Sequence, residues 1–431
     1  MIIHIVSAGE TLTHITNEYG VSIEDLAADN GLEINSQLVV GQALVIQIPE
    51  EVYTVQRGDT LTSVARRYNT TAIQLLRNNF KLGGMPRLIN GDRINIRYQG
   101  EQRDKRFAVN SYAYPYISSA LLRSQIPYLS YFTPFTYGVS ATGGMIYPND
   151  EEMRRIADEY GVRTLLHLST LTESGGFSSE RASLLFENPD IADRLIDEIV
   201  TYTEEQGFAG VDVDFEFINP EEKYDYIRFL QELRLSLNPK GLELFSALAP
   251  KTSDNQPGVL YEGHDYSGIA AAVNYVLLMT YEWGYTYGPP MAVAPLNAVA
   301  RVVDYAKTRM TSSKMFLGIP TYGYDWTLPY VKGGSGAPSI SPVEAVNLAR
   351  RYGADIMYDE DAQAPWFRYA DDDGRLHEVW FEDARSISAK LKLAEQSGIY
   401  GIGYWNSMRE FPQNWVTLNA EYDIINFSLT Q

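Results

Sequence analysis

The segment Gly210-Val211-Asp212-Val213-Asp214-Phe215-Glu216 carries carboxylates at alternate positions. Alternation is the period of a β-strand, so Asp212, Asp214 and Glu216 point to one face and Val211, Val213 and Phe215 to the other. Acids gathered on one face repel each other and desolvate poorly, so burying them is costly unless chemistry needs them. Paired carboxylates are what cleavage of a glycosidic bond uses. An exposed edge strand with an acidic face is the plainer alternative.

The elements around this segment decide between the two. From Phe107 onward, apolar strand-like runs are expected at 107–113, 128–135, 164–169, 210–216, 244–249, 275–281, 315–320 and 399–405. Helical patterning falls between several of them, at 150–160, 188–205, 220–236, 295–308 and 383–397. Eight strands alternating with helices fit an α/β fold of the (β/α)8 TIM-barrel type. A doubly wound sheet is the alternative, but no Gly-x-Gly-x-x-Gly follows the first strand. Barrel enzymes place their sites at the C-terminal ends of strands. Glu216 ends the fourth strand, Met279-Thr280-Tyr281-Glu282-Trp283 the sixth and Tyr404-Trp405-Asn406 the eighth; Tyr322-Gly323-Tyr324-Asp325-Trp326 follows the seventh. A single such cluster would only cover the barrel mouth. Several of them with one acidic strand predict a carbohydrate cleft. Residues 356–382, rich in Tyr, Trp and Asp, read as a hairpin insertion forming a small cleft wall, or alternatively as a simple surface excursion.

Ahead of the barrel lies an internal repeat, the first thing a solenoid or module array would show. His4-Ile5-Val6-Ser7-Ala8-Gly9-Glu10-Thr11-Leu12 recurs as Tyr53-Thr54-Val55-Gln56-Arg57-Gly58-Asp59-Thr60-Leu61. The match continues through Asn30 and Asn79. One inserted residue then shifts the register, pairing Gly41 with Gly91. Each unit reads strand, helix, helix, strand, a small α+β (βααβ) module. Thr11 and Thr60 stand where a helix would be capped, and Ser22-x-x-Asp25 reads as a second helix start. Modules over 2–48 and 51–98, a polar linker over 99–106 and a barrel over 107–431 are the expected domains.

Composition narrows the class. The chain has 431 residues, 45% of them hydrophobic, and a formal charge of −20, which disfavours nucleic acid as a partner. No apolar run approaches membrane-spanning length. The first residues lack a basic n-region and a long apolar stretch, so no secretory signal is expected. With no cysteine there are no disulfides, thiolate metal sites or cysteine nucleophiles. The five histidines are scattered; no metal and no cofactor are expected. Thirty-one tyrosines and six tryptophans could supply core or sugar-stacking surfaces.

The repeats resemble LysM modules, through the Gly-Asp/Glu-Thr-Leu signature, the mid-module Asn and the Gly before the last strand. The resemblance implies binding of N-acetylglucosamine-containing glycans, chiefly peptidoglycan or chitin. It points to Gly9, Glu10, Thr11, Leu12, Asn30 and Gly41 in the first module. The matching residues of the second are Gly58, Asp59, Thr60, Leu61, Asn79 and Gly91. Turn and cap roles are the alternative for each of these residues.

The barrel resembles family 18 glycoside hydrolases, the chitinase-like group. Gly210–Glu216 is similar to its fourth-strand motif Asp-Gly-x-Asp-x-Asp-x-Glu, Met279-Thr280-Tyr281 to its sixth strand, and Leu317–Gly323 to its seventh. Trp405 matches the eighth-strand tryptophan that floors the cleaved sugar. There are departures. Ala209 replaces the first Asp of the motif, and Glu282 replaces the Asp after the sixth-strand Tyr. Ser169-Thr170-Leu171-Thr172 stands for Ser-x-Gly-Gly, which argues against cleavage of crystalline chitin. The resemblance implies retaining, substrate-assisted hydrolysis: Glu216 as acid and base, Asp214 on the acetamido group, Asp212 tuning Asp214, and Tyr281 bonding the acetamido oxygen. Trp405, Glu282, Tyr322, Trp326 and Met279 are the expected substrate-binding residues. LysM modules ahead of such a barrel resemble spore peptidoglycan hydrolases that act as N-acetylglucosaminidases on cortex fragments during germination. Synthesis in the mother cell and a place in the spore coat or cortex region are then expected. A chitinase or endo-glucosaminidase, and an inactive glycan-binding coat protein, are the alternatives.

Overall fold

Eight parallel strands close on themselves in the computed structural model, which describes residues 1–100, 105–172 and 174–427. In chain order they are Arg106–Ala113, Tyr131–Pro134, Arg163–Ser169, Gly210–Asp214, Glu243–Leu248, Tyr275–Leu278, Met315–Pro320 and Gly401–Trp405. The eighth pairs with the first, Gly401 opposite Ala108, and this closes the barrel. The expected helices appear as Glu151–Glu159, Pro189–Glu205, Lys223–Leu237, Leu296–Lys307 and Ala384–Gln396. Part of the expected linker, residues 101–104, lies outside the described residues.

Two apolar layers follow from the alternation of side chains. Ala108, Tyr131, Leu165, Phe245, Leu277 and Phe316 plug the barrel interior. Val211, Val213 and Phe215 face outward into the larger layer between strands and helices. Their fully buried side chains force Asp212 and Asp214 onto the inner face. Some strands end earlier than expected. The fourth leaves its ladder at Asp214, paired with Ser169, and the sixth ends at Leu278. Glu216 and Tyr281 therefore sit on the loops above the barrel. Tyr128, expected in a strand, closes a 3-10 turn over Ile126–Tyr128 that carries Pro127.

The insertion after the seventh strand is larger than a hairpin. Strands Gly323–Thr327, Ser339–Ile340, Met357–Asp359, Ala364–Ala370 and Leu376–Trp380 form one antiparallel sheet. The helix Pro342–Tyr352 covers one face of it through Ala345 and Ala349, against Phe367 and Tyr369.

Both N-terminal repeats fold as strand, helix, helix, strand. Ile2–Ile5 pairs with Ala43–Ile46, and Pro49–Thr54 with Arg93–Tyr98, each antiparallel. Thr11 caps the first module's leading helix by accepting from His14 N, and Thr60 does the same for Ser63 N. The modules rest on the barrel rather than hanging from it. Gln413 Nε2 donates to Asn30 Oδ1 (2.9 Å) and to the Ala43 carbonyl (2.7 Å). Asn419 Nδ2 donates to Asn78 Oδ1 (3.1 Å), and Tyr128 OH to the Arg77 carbonyl (2.9 Å).

Candidate active site

Strand alternation carries Asp212, Asp214 and Glu216 up one line, from the barrel plug to an open cavity of about 260 Å³ at the C-terminal face. Asp212 lies deepest, 1% exposed, and accepts a hydrogen bond from Tyr112 OH (2.6 Å) on the first strand. Burial raises its pKa to about 6, partly offset by the hydrogen bond from Tyr112. Asp214 and Glu216 both line the cavity. Burial raises Asp214. Glu216 is raised by burial first, then by the negative charges of Asp214 and Glu282. Asp212 Oδ1 and Asp214 Oδ1 are buried with no hydrogen-bond partner among the described residues. An unpaired buried carboxylate oxygen is costly, and a shared proton relieves that cost. The rise at Glu216 favours its protonated form near neutral pH, the state a general acid requires.

Two histidines hold this column, and neither stands out in the sequence. His167 Nε2 lies 3.6 Å from Asp214 Oδ2, too long for a hydrogen bond. Burial pulls its pKa down to about 4, so the ring is neutral and no ion pair forms. Its Nδ1 meets Thr136 Oγ1 at 2.6 Å. His264 Nδ1 accepts from Ala249 N (3.0 Å), which leaves Nε2 as the donor to the Phe215 carbonyl (3.0 Å). That bond pins the backbone one residue before Glu216.

The walls come from separate strands. Tyr281 lies over Gly318, where a Cβ would come within 2.9 Å of the tyrosine ring. Trp405 borders the cavity and packs its ring against Phe135 (4.9 Å) and Tyr112 (5.6 Å). Met279 lines the cavity beside it. Glu282 adopts a left-handed backbone, φ 67°, uncommon outside glycine and frequent where a side chain must be aimed. Its carboxylate accepts from Tyr322 OH and from Tyr324 OH (3.0 Å). Tyr322 thus acts behind Glu282. Trp326 is not a cleft residue: it is 3% exposed, and its Nε1 donates to the Gly288 carbonyl (2.9 Å). The insertion sheet turns Trp326 under the loop that follows Glu282. Thr170 is buried and Leu171 bridges Phe177; neither lines the cavity. Tyr112, Pro250, Leu260 and Tyr261 do line it. They come from the first strand and from the loop after the fifth, where no local pattern marks them.

The module signature residues divide differently. Glu10 Oε2 accepts from Ser7 N (2.6 Å) and Asp59 Oδ2 from Gln56 N (2.7 Å), so both acids close the turn before the helix. Gly9 and Gly58 supply the positive φ of that turn and are exposed, as are Thr11 and Thr60. Leu12 and Leu61 belong to the module cores. Asn30 and Asn79 lie inside the modules rather than on a groove. Asn79 bonds the Leu75 carbonyl (2.8 Å) and both the carbonyl and the N–H of Asn95 (2.8 Å each). Asn30 repeats this pattern on Leu26 and Val45. Gly41 packs on the barrel insertion: a Cβ there would fall 1.9 Å from the Ile356 carbonyl oxygen. Gly91 has open space.

Comparison with known proteins agrees with this geometry. The model of glycosyl hydrolases family 18 matches residues 128–410, and the LysM domain model matches 4–47 and 53–96. The chain belongs to glycosyl hydrolases family 18 and carries two LysM domains. It is 40% identical over 431 residues to the cortical fragment-lytic enzyme of Bacillus subtilis (strain 168), covering 99% of each chain. The crystal structure of the Bacillus cereus spore cortex-lytic enzyme SleL superposes with a TM-score of 0.83 at 35% identity, covering 99% of each chain. That of the Bacillus megaterium QM B1551 enzyme SleL gives 0.83 at 38% identity, covering 98% of each chain. Among the described residues, no helix is long and apolar enough to cross a membrane.

Proposed function

We propose that this glycoside hydrolase cleaves β-1,4 bonds after N-acetylglucosamine in spore cortex peptidoglycan fragments during germination. The observation that carries this reading is the column Asp212–Asp214–Glu216, rising into a cavity that Tyr281 and Trp405 border. The full-length relatives' names supply the choice of cortex fragments over other glycans.

The chemistry follows from the positions. Trp405 is the apolar floor under the cleaved sugar. Glu216, held protonated by its surroundings, gives its proton to the leaving oxygen. The sugar's own acetamido oxygen attacks C1, and Asp214 holds the acetamido N–H as positive charge develops. Asp212 takes up part of the proton shared with Asp214, so one carboxylate stays neutral while its neighbour carries charge. Tyr281 donates to the acetamido group. Water, activated by Glu216 as base, opens the cyclic intermediate with retention. The repeated modules hold the enzyme on the glycan and raise its local concentration. Domains over 2–48, 51–98 and 107–431, and residence in the spore coat or cortex region, complete the reading.

The bond cut is the test. N-acetylmuramic acid has an acetamido group beside a bulky lactyl branch, and muramic lactam has no free acetamido group to assist. Fragments from digestion should therefore end in N-acetylglucosamine, read by mass spectrometry after borohydride reduction. Fragments ending in reduced muramic acid would sink the specificity. An α-anomer formed first, followed by NMR, would sink the mechanism.

A further inference from the structure

We propose that the pocket beyond Tyr261 and Trp283 receives a carboxylate-bearing substituent on the departing sugar, with Arg301 as its cation. The proposal rests on the peptidoglycan reading above and concerns how that substrate is told from a neutral one. Pro250, Tyr261 and Trp283 line the catalytic cavity and also a second pocket of about 410 Å³. The two spaces therefore share one wall. Trp405 ends the eighth strand and Glu216 follows the fourth, across the barrel from it. A sugar seated on Trp405 with its glycosidic oxygen at Glu216 directs its leaving partner toward the fourth- and fifth-strand side, where Pro250 and Tyr261 stand.

The second pocket differs in character from the first. Among the described residues, Asp214, Glu216 and Glu282 line the catalytic cavity and no Lys or Arg does. Among them too, Arg301 is the one charged residue lining the second pocket, beside Thr252, Ser253 and Gln256. It is exposed on the helix Leu296–Lys307 and makes no hydrogen bond or ion pair among the described residues. Asp304, one turn along that helix, is not paired with it. The opposite wall is built rather than loose. Asp254 accepts from Tyr305 OH (2.6 Å) and pairs with Arg309, which ties the loop to the same helix. Gln256 Oε1 accepts from Thr252 N (2.8 Å).

A chain of charge −20 with an acidic cleft repels polyanionic glycans at long range. A muramic acid carrying a peptide brings carboxylates on a short amide arm. An unpaired guanidinium at the leaving-sugar end matches that arm, because planar guanidinium recognises carboxylate through two parallel hydrogen bonds. Neutral chitin oligomers have nothing to offer it.

The experiment compares Arg301→Gln with wild-type enzyme on two substrates. One is a cortex fragment retaining peptide on muramic acid; the other is chitin tetrasaccharide. For the peptide-bearing fragment, kcat/KM should fall about fivefold, mostly through KM, as expected for one solvent-accessible charged contact. Chitin tetrasaccharide should be cut within about twofold of wild type, which also shows that the variant is folded. Raising salt should shrink the wild-type advantage on the peptide-bearing fragment only. Arg301→Lys should recover part of it. Equal losses on both substrates, or an unchanged KM for the peptide-bearing fragment, would overturn the proposal while leaving the cortex reading intact. Wild-type enzyme that cuts the chitin oligomer and leaves the peptide-bearing fragment whole would overturn both.

Discussion

Two acidic motifs in this chain look alike in sequence and behave oppositely in the fold. In Gly210–Glu216, Asp212 and Asp214 are buried, and each keeps one carboxylate oxygen without a partner. In the module turns, Glu10 and Asp59 accept backbone N–H bonds and satisfy the chain beside them. Unpaired buried acids destabilise a fold and persist where chemistry uses them. Paired acids at a turn stabilise the turn and need no other reason. The state of the lone pairs thus sets the acids of the cleft apart from those of the module turns; Glu382, which also keeps an unpartnered oxygen, differs in that its other oxygen meets the buried Lys390 ammonium (2.8 Å).

The largest way to test that contrast is at Glu216. Glu216→Gln keeps the shape and removes the proton, so turnover on soluble fragments should fall by about 10²–10⁴. Thermal stability should hold or rise, since a buried ionisable group is lost. Turnover within about tenfold of wild type would contradict the assignment.

The contrast also predicts that the modules are structural partners of the barrel. From sequence alone the modules read as tethered through a polar linker. The structure instead buries Asn30, Asn78 and Arg77 against Gln413, Asn419 and Tyr128. Val45 also packs with Ala384 and Val416 of the barrel. Deleting residues 1–98 should therefore remove the hydrogen bonds that Gln413, Asn419 and Tyr128 make to the modules, each worth roughly 0.5–1.5 kcal/mol net, and expose apolar surface. A marked fall in melting temperature is expected by calorimetry. A truncated barrel melting where the full chain does would show that the contacts are incidental.

That docking also explains what the sequence hid. The eight strands were readable because continuous apolar runs between helices admit few other arrangements. The helix Pro412–Glu421 was not, although Pro412 stands at its start. Gln413, Asn414, Thr417 and Asn419 look solvent-facing but are buried, Gln413 and Asn419 through the contacts with the modules. No amphipathic period survives in such a helix. Pro342–Tyr352 was legible: Ser341 and Glu344 form a capping box with Pro342 in the first turn, and Gly353 ends the helix in the left-handed conformation. The acids of the site were legible because a strand spaces them at every second residue. Tyr112, His167 and Tyr261 converge from separate elements, so nothing local marks them. Trp326 misled because an aromatic after a strand end serves a wall's interior as readily as its surface.

A finer test lies inside the modules. Asn79→Ala removes a buried amide and leaves Leu75 and Asn95 backbone groups unpaired, expected to cost roughly 2–4 kcal/mol. Thr60→Ala removes one exposed helix cap and should cost about 1 kcal/mol. Urea denaturation ranks the two. If Asn79→Ala melts like wild type yet loses glycan retention, the asparagine belongs to a groove and its placement inside the module is misread.

The smallest expected effect is a shift along the pH axis. Glu282 adds negative charge beside Glu216, after burial and Asp214, and so helps keep it protonated. Glu282→Gln removes the charge and keeps an oxygen that can accept from Tyr322 and Tyr324. The pKa of Glu216 should then fall. General acid catalysis uses the protonated form, so activity is present below that pKa and lost as pH rises through it. The alkaline limb of kcat/KM should accordingly move to lower pH in the variant, with the maximal rate changed far less than in Glu216→Gln. The same sign governs stability. A carboxyl raised by folding favours the folded state below its ordinary range, and that contribution is lost as pH rises through the folded value. Glu282→Gln should therefore lose less stability than wild type on the alkaline side. An alkaline limb that stays in place, or moves upward, would show that Glu282 acts on the sugar directly and not through the charge state of Glu216.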